Sequence, residues 1–574
     1  MPIHNADVAN AFDEIADLLE IQDENPFRIR AYRNAARLLR GLSKDVATLV
    51  REGADLTEFP GIGEDLAGKI REIVETGDLE LLRKLRKRLP PGLPELLRVP
   101  GLGPKRVRAL HEKLGIGSLE NLGRAIQKGL LRKLPGFGTK TEGRILASLE
   151  RRASQGKRTP LATAAQYAEP LAEYLRKARG VRRVEIAGSY RRGKETVGDL
   201  DILAAAHPAE PVIERFVSYD EVKDVTAKGP TRCTVFLRSG IQVDLRVVPP
   251  ESFGAAFHYF TGNKNHNIAV RRRGQERGLK VNEYGVFKKE RRIAGETEES
   301  VFKAVGLPFI PPELRGNAGE IEAAEKGKLP ELIRLEDLRG DLHVHTKRTD
   351  GRNTLREMAR AAKEWGFEYF AVTEHSKRLT MVHGLDERAL RRQAEEIDKT
   401  ASAIRGIAIL KGIEVDILED GRLDLPDAAL AELDVVVAAV HSAFGLSKSK
   451  QTDRLLRAID NRLVTVLAHP TGRLIDEREP YEADFPKIIR RAKQAGCALE
   501  VNAHPERLDL PDTFCRLAKQ EGALLAINSD AHSIQDFENL RFGVGQARRG
   551  WIEASDVLNT RSLKKLRKFL RARR

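Results

Sequence analysis

Sulfur chemistry is nearly absent from this chain: 574 residues contain three cysteines, Cys233, Cys497 and Cys515. They lie too far apart for a CxxC metal site and too few for a disulfide framework. The pattern points to a reducing, cytoplasmic setting and leaves histidines and carboxylates to hold any metal. Long apolar runs are missing too; without a stretch of about 18 apolar residues no membrane-spanning helix is expected. The first twenty residues, MPIHNADVANAFDEIADLLE, are acidic and amphipathic and lack the basic start and apolar centre of a secretory leader.

What is present is a basic excess, unevenly placed. Of the net charge of +15, residues 1–160 carry 29 Lys+Arg against 22 Asp+Glu, residues 161–315 carry 26 against 20, and the remainder 44 against 42. A basic first half suits a polyanion such as nucleic acid, although a solvated basic face accounts equally for charge alone. The tail RSLKKLRKFLRARR reads as a closing amphipathic helix with a solvated basic face.

Residues 1–150 read as helices separated by Gly/Pro turns. One signal, apolar-Pro-Gly-apolar-Gly, recurs as Phe59-Pro60-Gly61-Ile62-Gly63, Val99-Pro100-Gly101-Leu102-Gly103 and Leu134-Pro135-Gly136-Phe137-Gly138. Each copy precedes a helical stretch, where glycines permit close approach and free N–H groups suit a phosphate oxygen. The repeat resembles the helix-hairpin-helix, a sequence-independent binder of DNA backbone. That resemblance makes Gly61, Gly63, Gly101, Gly103, Gly136 and Gly138 the backbone contacts, with some copies free to serve only as connectors.

After a linker at 151–161 the pattern turns to strands, VRRVEIAG, DLDILAAA, RCTVFL and IQVDLRVV. Gly188-Ser189-Tyr190-Arg191-Arg192-Gly193 is followed by Gly198-Asp199-Leu200-Asp201, and Asp244 lies in a later strand. Asp199 and Asp201 alternate on one face. Three gathered carboxylates repel unless cations sit between them, and such a set can hold two ions for in-line phosphoryl transfer. These residues look like the nucleotidyltransferase superfamily. With Tyr259-Phe260-Thr261-Gly262-Asn263 and Gly278-Leu279-Lys280-Val281-Asn282-Glu283-Tyr284-Gly285, and with the helical N-terminal region, residues 1–315 resemble a family X DNA polymerase.

The resemblance implies a two-ion site, Mg²⁺ or Mn²⁺, on Asp199, Asp201 and Asp244, with Asp244 helping to deprotonate a primer 3′-hydroxyl. Gly188, Ser189, Arg192 and Gly198 would hold the triphosphate of a dNTP. Tyr259, Phe260 and Gly262 would line its sugar, Asn267 would touch its base, and Arg271 the template strand. Asn263 departs from the family, which usually has Ser after Thr-Gly, and this puts sugar discrimination in question. The resemblance also makes Lys69, beside Tyr32, the position of a 5′-deoxyribose-phosphate lyase nucleophile, although a supporting lysine is replaced by Asp65.

Eight of the thirteen histidines follow residue 342. Asp341-Leu342-His343-Val344-His345, Asp350, Thr373-Glu374-His375, Glu414, His441, His469 and Ser529-Asp530-Ala531-His532 cluster at the ends of apolar strands that alternate with helices. Such a succession predicts an α/β barrel whose strand ends converge on one mouth, with imidazole and carboxylate donors suited to Mn²⁺, Zn²⁺ or Fe. The pattern looks like the PHP (polymerase and histidinol phosphatase) domain. By that resemblance His343, His345, Asp350, His375, Glu414, His441, His469, Asp530 and His532 would bind up to three ions, with Glu414 bridging two. His383 and His504 are left for substrate phosphate or solvent.

The expected fold is multidomain, α+β and α/β. It comprises a small helical gap-binding domain (1–85), a helix-hairpin-helix fingers-like domain (86–155), a nucleotidyltransferase palm (160–250) and a thumb (251–315). A linker (316–337) leads to a distorted (β/α)7-type PHP barrel (338–574). The expected activity is gap-filling DNA synthesis in repair on gapped or primer-template DNA, by a monomer away from membranes. A Mn²⁺-favoured 3′–5′ exonuclease accompanies it, with abasic-site endonuclease and 3′-phosphatase activity within its chemistry. Two other readings stay open: mainly a nuclease with a positioning-only polymerase half, and a DNA-binding scaffold with structural metals.

Overall fold

The computed structural model describes residues 3–573 except 41, 43–44, 60, 91, 98, 100–101, 135–136, 139–141, 144, 147–148 and 150–157. Two compact units emerge: Met1–Thr159 with Ser218–Val225 and Val235–Gln242, and Pro160–Val217 with Thr226–Thr234 and Val243–Arg574. Among the described residues no helix is long and apolar enough to cross a membrane.

The first unit is built mainly from helices around apolar faces. Asn5–Ile21 buries Val8, Ala9, Phe12, Ile15, Ala16 and Leu19, a helical spacing, against Tyr32, Ala35, Ala36 and Leu39 of Pro26–Arg40. The three Gly turns share one hydrogen bond. Ile62 N–H donates to Phe59 O (3.0 Å), Leu102 to Val99 O (2.9 Å) and Phe137 to Leu134 O (3.2 Å). Each turn drives its middle apolar residue into the core.

A five-stranded sheet runs in the order Val181–Ile186, Leu200–Ala206, Gln242–Val248, Arg232–Leu237, Val222–Lys228. Along Gln242–Val248, Val243, Leu245 and Val247 turn into the core, which leaves Asp244 and Arg246 on the other face. The helix Leu161–Arg176 places Leu161, Ala164, Ala165, Ala168, Leu171, Ala172 and Leu175 inward at helical spacing. The strand Val222–Lys228 escaped the sequence pattern because six of its residues, KDVTAK, are exposed.

The last 235 or so residues (counted from Gly340) form seven parallel strands: Gly340–Val344, Tyr369–Val372, Ala408–Asp416, Val435–Ala439, Val466–Leu467, Ala498–Asn502 and Leu525–Asn528. The first and seventh meet through His345 N–H to Ala531 O (2.8 Å) and Leu342 N–H to Asn528 Oδ1 (3.2 Å), so the barrel is nearly closed. Both strand faces are buried, one against the helices and one inside, which is why these segments read as continuous apolar runs. The basic tail is the helix Leu563–Arg573. Its Leu566 and Leu570 join the interior cluster with Leu342 and Tyr369, each burial contributing about 1.5–3 kcal/mol.

The segment expected as a linker, 316–337, is packed rather than extended. It carries the helix Glu320–Glu325, and Ala324 and Leu332 join the apolar cluster of Val270, Val301 and Phe302. Its charges misled the pattern because Glu320, 0% exposed, is buried against His266 (Oε1 to Nδ1, 2.8 Å).

Candidate active sites

Parallel pairing of Leu200–Ala206 with Gln242–Val248 places Asp201 directly opposite Asp244. Asp199 precedes the first of these strands and is exposed; Asp201 and Asp244 are half-buried. Burial, then the charges of Asp199 and Asp244, push the Asp201 carboxyl up to about 7. Thr234 Oγ1 donates to Asp244 Oδ1 at 2.5 Å. A carboxylate triad under that mutual repulsion fits divalent cations, whose charge would relieve it.

Gly188, at φ +60°, opens the short helix Gly188–Arg191 beside Asp201. The adjacent arginines part company. Arg191 turns inward, donating to both Glu298 oxygens (2.9 and 2.5 Å) and to Thr261 Oγ1 (2.7 Å). Arg315 meets the same Glu298 oxygen from the other side (2.6 Å). Burial pushes the Glu298 carboxyl up, but the two guanidiniums hold it below its ordinary value. Arg192 instead donates to Thr261 O, with Gly262 at its flank. Triphosphate and sugar candidates are thus brought together, while Ser189 is half-buried nearby in sequence and Gly198 is exposed.

Tyr259 and Phe260 meet edge to face at 5.2 Å, Arg271 lies 5.9 Å from the Tyr259 ring centre, and Asn267 donates to Tyr259 O (2.7 Å). Asn263 caps the helix Lys264–Glu276 by accepting from His266 N–H (2.9 Å), a structural task that its side chain shares with serine. In the first unit, Lys69 lies 5.9 Å from the buried Tyr32 ring and is ion-paired with Asp65. Gly63 and Gly103 stand at the N-caps of Glu64–Thr76 and Pro104–Leu114; Gly61 turns at φ +82°, and Gly138 O accepts from Glu142 N–H (3.1 Å). Gly101 and Gly136 lie outside the described residues.

At the barrel mouth all nine candidate ligands converge. The Glu414 carboxylate is central: its oxygens lie 3.5 Å from His343, 3.7 Å from His345, 2.6 Å from His375, 3.3 Å from His441 and 3.0 Å from His469. Asp350 lies 3.1 Å from His375 and 3.3 Å from His532, and Asp530 lies 3.3 Å from His345 and 3.5 Å from His343. Among the described residues, three ligand groups have donor atoms all within 4.8 Å of one another, and all three are here. They are His345, Asp350, His375 and His532; His343, His345 and Asp530; and His375, Glu414 and His441.

Several of these donor atoms are buried without a hydrogen-bond partner, among them His343 Nε2, His345 Nδ1 and His469 Nδ1. Buried lone pairs left over in a cluster of borderline and hard donors fit divalent metal ions. Burial raises the Glu414 and Asp530 carboxyls, but the surrounding imidazoles, led by His441 and His343 respectively, hold both well below the carboxylate range. Burial drives His345 and His469 down to about 4. His469 and Asp530 adopt positive φ, +29° and +55°, a strained backbone of the kind kept at functional sites.

Sequence reasoning gave no role to the buried acids that surround these candidate ligands. Glu500, 0% exposed, lies 2.7 Å from His343 Nδ1 and accepts from His469 N–H (2.8 Å), Asn528 Nδ2 (2.9 Å) and Asn502 Nδ2 (3.0 Å). Asp416 lies 3.4 Å from His441 Nδ1, and Glu374 accepts from Thr346 and Thr349. The signal was position: Asp416 ends the strand Ala408–Asp416, Glu500 lies inside Ala498–Asn502, and Glu374 lies just beyond Tyr369–Val372. His383 is exposed; His504, half-buried beside Arg507, is driven down to about 4 chiefly by burial.

Comparison with known proteins matches the chain to five family models. They are the Helix-hairpin-helix domain (residues 3–79), the SAM-like Helix-hairpin-helix tandem (93–151), the DNA polymerase beta palm (158–223), the DNA polymerase beta thumb (256–316) and the PHP domain (341–504). The chain is 39% identical to the DNA polymerase/3′-5′ exonuclease PolX of Bacillus subtilis (strain 168), an alignment spanning 99% of this chain and 100% of that protein. It is 28% identical to a probable phosphatase of Thermoanaerobacter sp. (strain X514) over 41% of this chain and 95% of that one. Among solved structures it is similar to Leishmania infantum polymerase beta in a ternary P/T complex, at 22% identity and TM-score 0.27, over 38% of this chain and 96% of that one.

Proposed function

Because the chain belongs to the PolX family, the family X DNA polymerases that carry a C-terminal PHP domain, we propose that it fills short gaps in DNA repair and trims 3′ ends beforehand. It is a DNA polymerase with a 3′–5′ exonuclease, and both sites use divalent metal ions. The observation that carries the reading is one chain, alike along its whole length to such an enzyme, holding both an aspartate platform and a nine-ligand barrel mouth.

In the palm, Asp199, Asp201 and Asp244 would hold two ions, Mg²⁺ or Mn²⁺, which supply charge stabilisation for in-line displacement at phosphorus. Ser189, Arg192 and the backbone of Gly188 and Gly198 would bind the dNTP triphosphate. Tyr259, Phe260 and Gly262 would pack on its sugar, Asn267 would reach its base and Arg271 the template. Asp244, steadied by Thr234, would draw the proton from the primer 3′-hydroxyl.

In the barrel, His343, His345, Asp350, His375, Glu414, His441, His469, Asp530 and His532 would hold up to three ions, Mn²⁺ foremost, with Zn²⁺ and Fe as the other candidates. Such ions supply Lewis-acid activation of a phosphoester. Glu500 and Asp416 keep the imidazoles turned inward. Abasic-site and 3′-phosphate substrates fit the same phosphoester chemistry. Lyase chemistry at Lys69 lacks comparable support, because its ammonium is engaged by Asp65.

The test uses the full chain on a one-nucleotide gap with a 5′-phosphate, with Mg²⁺ or Mn²⁺. Addition of one nucleotide with dNTPs, release of 3′ nucleotides without them, and loss of both on chelation are expected. Absence of extension would leave a nuclease whose first half only positions DNA.

A further inference from the structure

The loop that leads from the triphosphate candidate Arg192 to the metal candidate Asp199 is gripped by side chains of the hydrolytic barrel. Glu195 lies at its centre. Its Oε2 accepts from Arg473 Nη1 (3.1 Å), and its Oε1 accepts from Arg473 Nη2 (2.9 Å) and from Gln546 Nε2 (2.7 Å). A forked arginine on both carboxylate oxygens fixes direction as well as distance. Arg473 is itself immobilised, donating through Nε to Arg507 O (2.9 Å) and through Nη2 to Leu508 O. Its side chain is 11% exposed, and Gln546 is 1% exposed.

A second grip lies at the start of the same loop. Arg549 Nη1 donates to the carbonyl of Arg192 (3.2 Å), and its other terminal nitrogen is paired with Asp512. Gly193, at φ +63°, passes so near that an added Cβ would lie 3.7 Å from Arg549 Cδ. The palm meets the loop through backbone bonds such as Leu161 N–H to Glu195 O (2.9 Å).

We propose that Glu195, Arg473, Gln546 and Arg549 are positioning residues for nucleotide binding: the barrel holds the polymerase loop in the shape that presents Arg192 and Asp199 to the triphosphate. The inference rests on the reading of that loop given above. Arg473 follows the ligand His469 by four positions, and Arg507, whose carbonyl it binds, lies 3.7 Å from the ligand Asp530. The scaffold that shapes the nucleotide loop is therefore the wall of the hydrolytic site.

The experiment measures KM for dNTP and kcat for single-nucleotide gap filling by the full chain. The variants are Arg473→Ala, Glu195→Gln, their double variant, Arg192→Ala and Arg548→Ala, with thermal melting as the folding control. Arg548, on the helix Leu540–Arg549 that also carries Gln546 and Arg549, donates instead to Glu313 Oε1 and Ile333 O. Arg473→Ala and Glu195→Gln are expected to raise KM about tenfold, the consequence of losing one charge-assisted contact. Their kcat at saturation stays close to wild type, and the double variant is no worse than Arg473→Ala alone.

Unchanged KM in both single variants would overturn the proposal, as would an equal rise in Arg548→Ala, which would mean general loosening. If Arg473→Ala does not fold, Glu195→Gln, which keeps the side chain's volume, decides alone. Wild type that extends, with KM unmoved by Arg192→Ala, would instead overturn the reading of the loop itself.

Discussion

Asp201 lies tight against Gly188: a Cβ built on that glycine would sit 2.0 Å from Asp201 Oδ2, and the backbone there is at φ +60°. Gly188→Ala therefore strains the chain and drives out a metal-candidate carboxylate at once. The expected outcome is loss of gap filling by at least about a hundredfold, on the scale of removing about 2.7 kcal/mol of transition-state stabilisation. Release of 3′ nucleotides, made at the barrel, should continue. Parallel assays of the two activities check it; retained extension contradicts it.

Glu500 orients two barrel histidines at once, His343 through its ring and His469 through its backbone. Glu500→Gln keeps the volume but removes the charge that fixes the His343 ring. Metal affinity of the barrel should fall about 10–100-fold, as for other outer carboxylates. Metal content after dialysis against graded Mn²⁺ measures this; an unchanged titration contradicts the role.

His258 and His266 are buried in the thumb, 3% and 0% exposed, with ring centres 5.6 Å apart. Burial, with Arg315 adding to it, holds His258 well below its ordinary value; burial also lowers His266, partly offset by Glu320. The unfolded chain thus takes up protons first. Their stability contribution is full above about pH 6.5 and falls below it, with a slope of about 1.4 kcal/mol per pH unit for each proton. Urea midpoints measured from neutral to mildly acidic pH should fall less steeply in His258→Phe than in wild type. Parallel curves would contradict this.

At Gly63 and Gly103 an added Cβ meets nothing within 4 Å, and neither has positive φ. Alanine at both should lower the melting temperature only modestly, because alanine caps a helix less well than glycine, yet crowd a DNA phosphate at the helix N-terminus. Binding to duplexes of different sequence should weaken to a similar degree, and the salt dependence should stay steep because the basic side chains remain. Fluorescence anisotropy over a salt series checks it; unaltered affinity would leave these turns as connectors.

How much was legible in the sequence depends on where each partner lies. Asp199, Asp201, Asp244 and the nine barrel candidates stood out because phosphoryl transfer needs carboxylates and imidazoles at strand ends, and the structure brings the nine candidates together at one mouth, five of the histidines around Glu414. Glu500 gave no such signal, because its partner His343 is 157 positions away. Glu195 and Arg473, 278 positions apart, look like ordinary surface charges until the chain folds. The packed segment 316–337 was hidden for a related reason: a glutamate reads as solvent-facing, yet Glu320 is buried by its pairing with His266.

The most direct measurement of two separate sites in one chain compares wild type, Asp199→Ala/Asp201→Ala and His343→Ala/His345→Ala on a one-nucleotide gap with a 5′-phosphate, in Mg²⁺ and in Mn²⁺. The aspartate variant should lose extension but still release 3′ nucleotides, and the histidine variant should do the reverse. Loss of both activities in either variant, with melting unchanged, would contradict it.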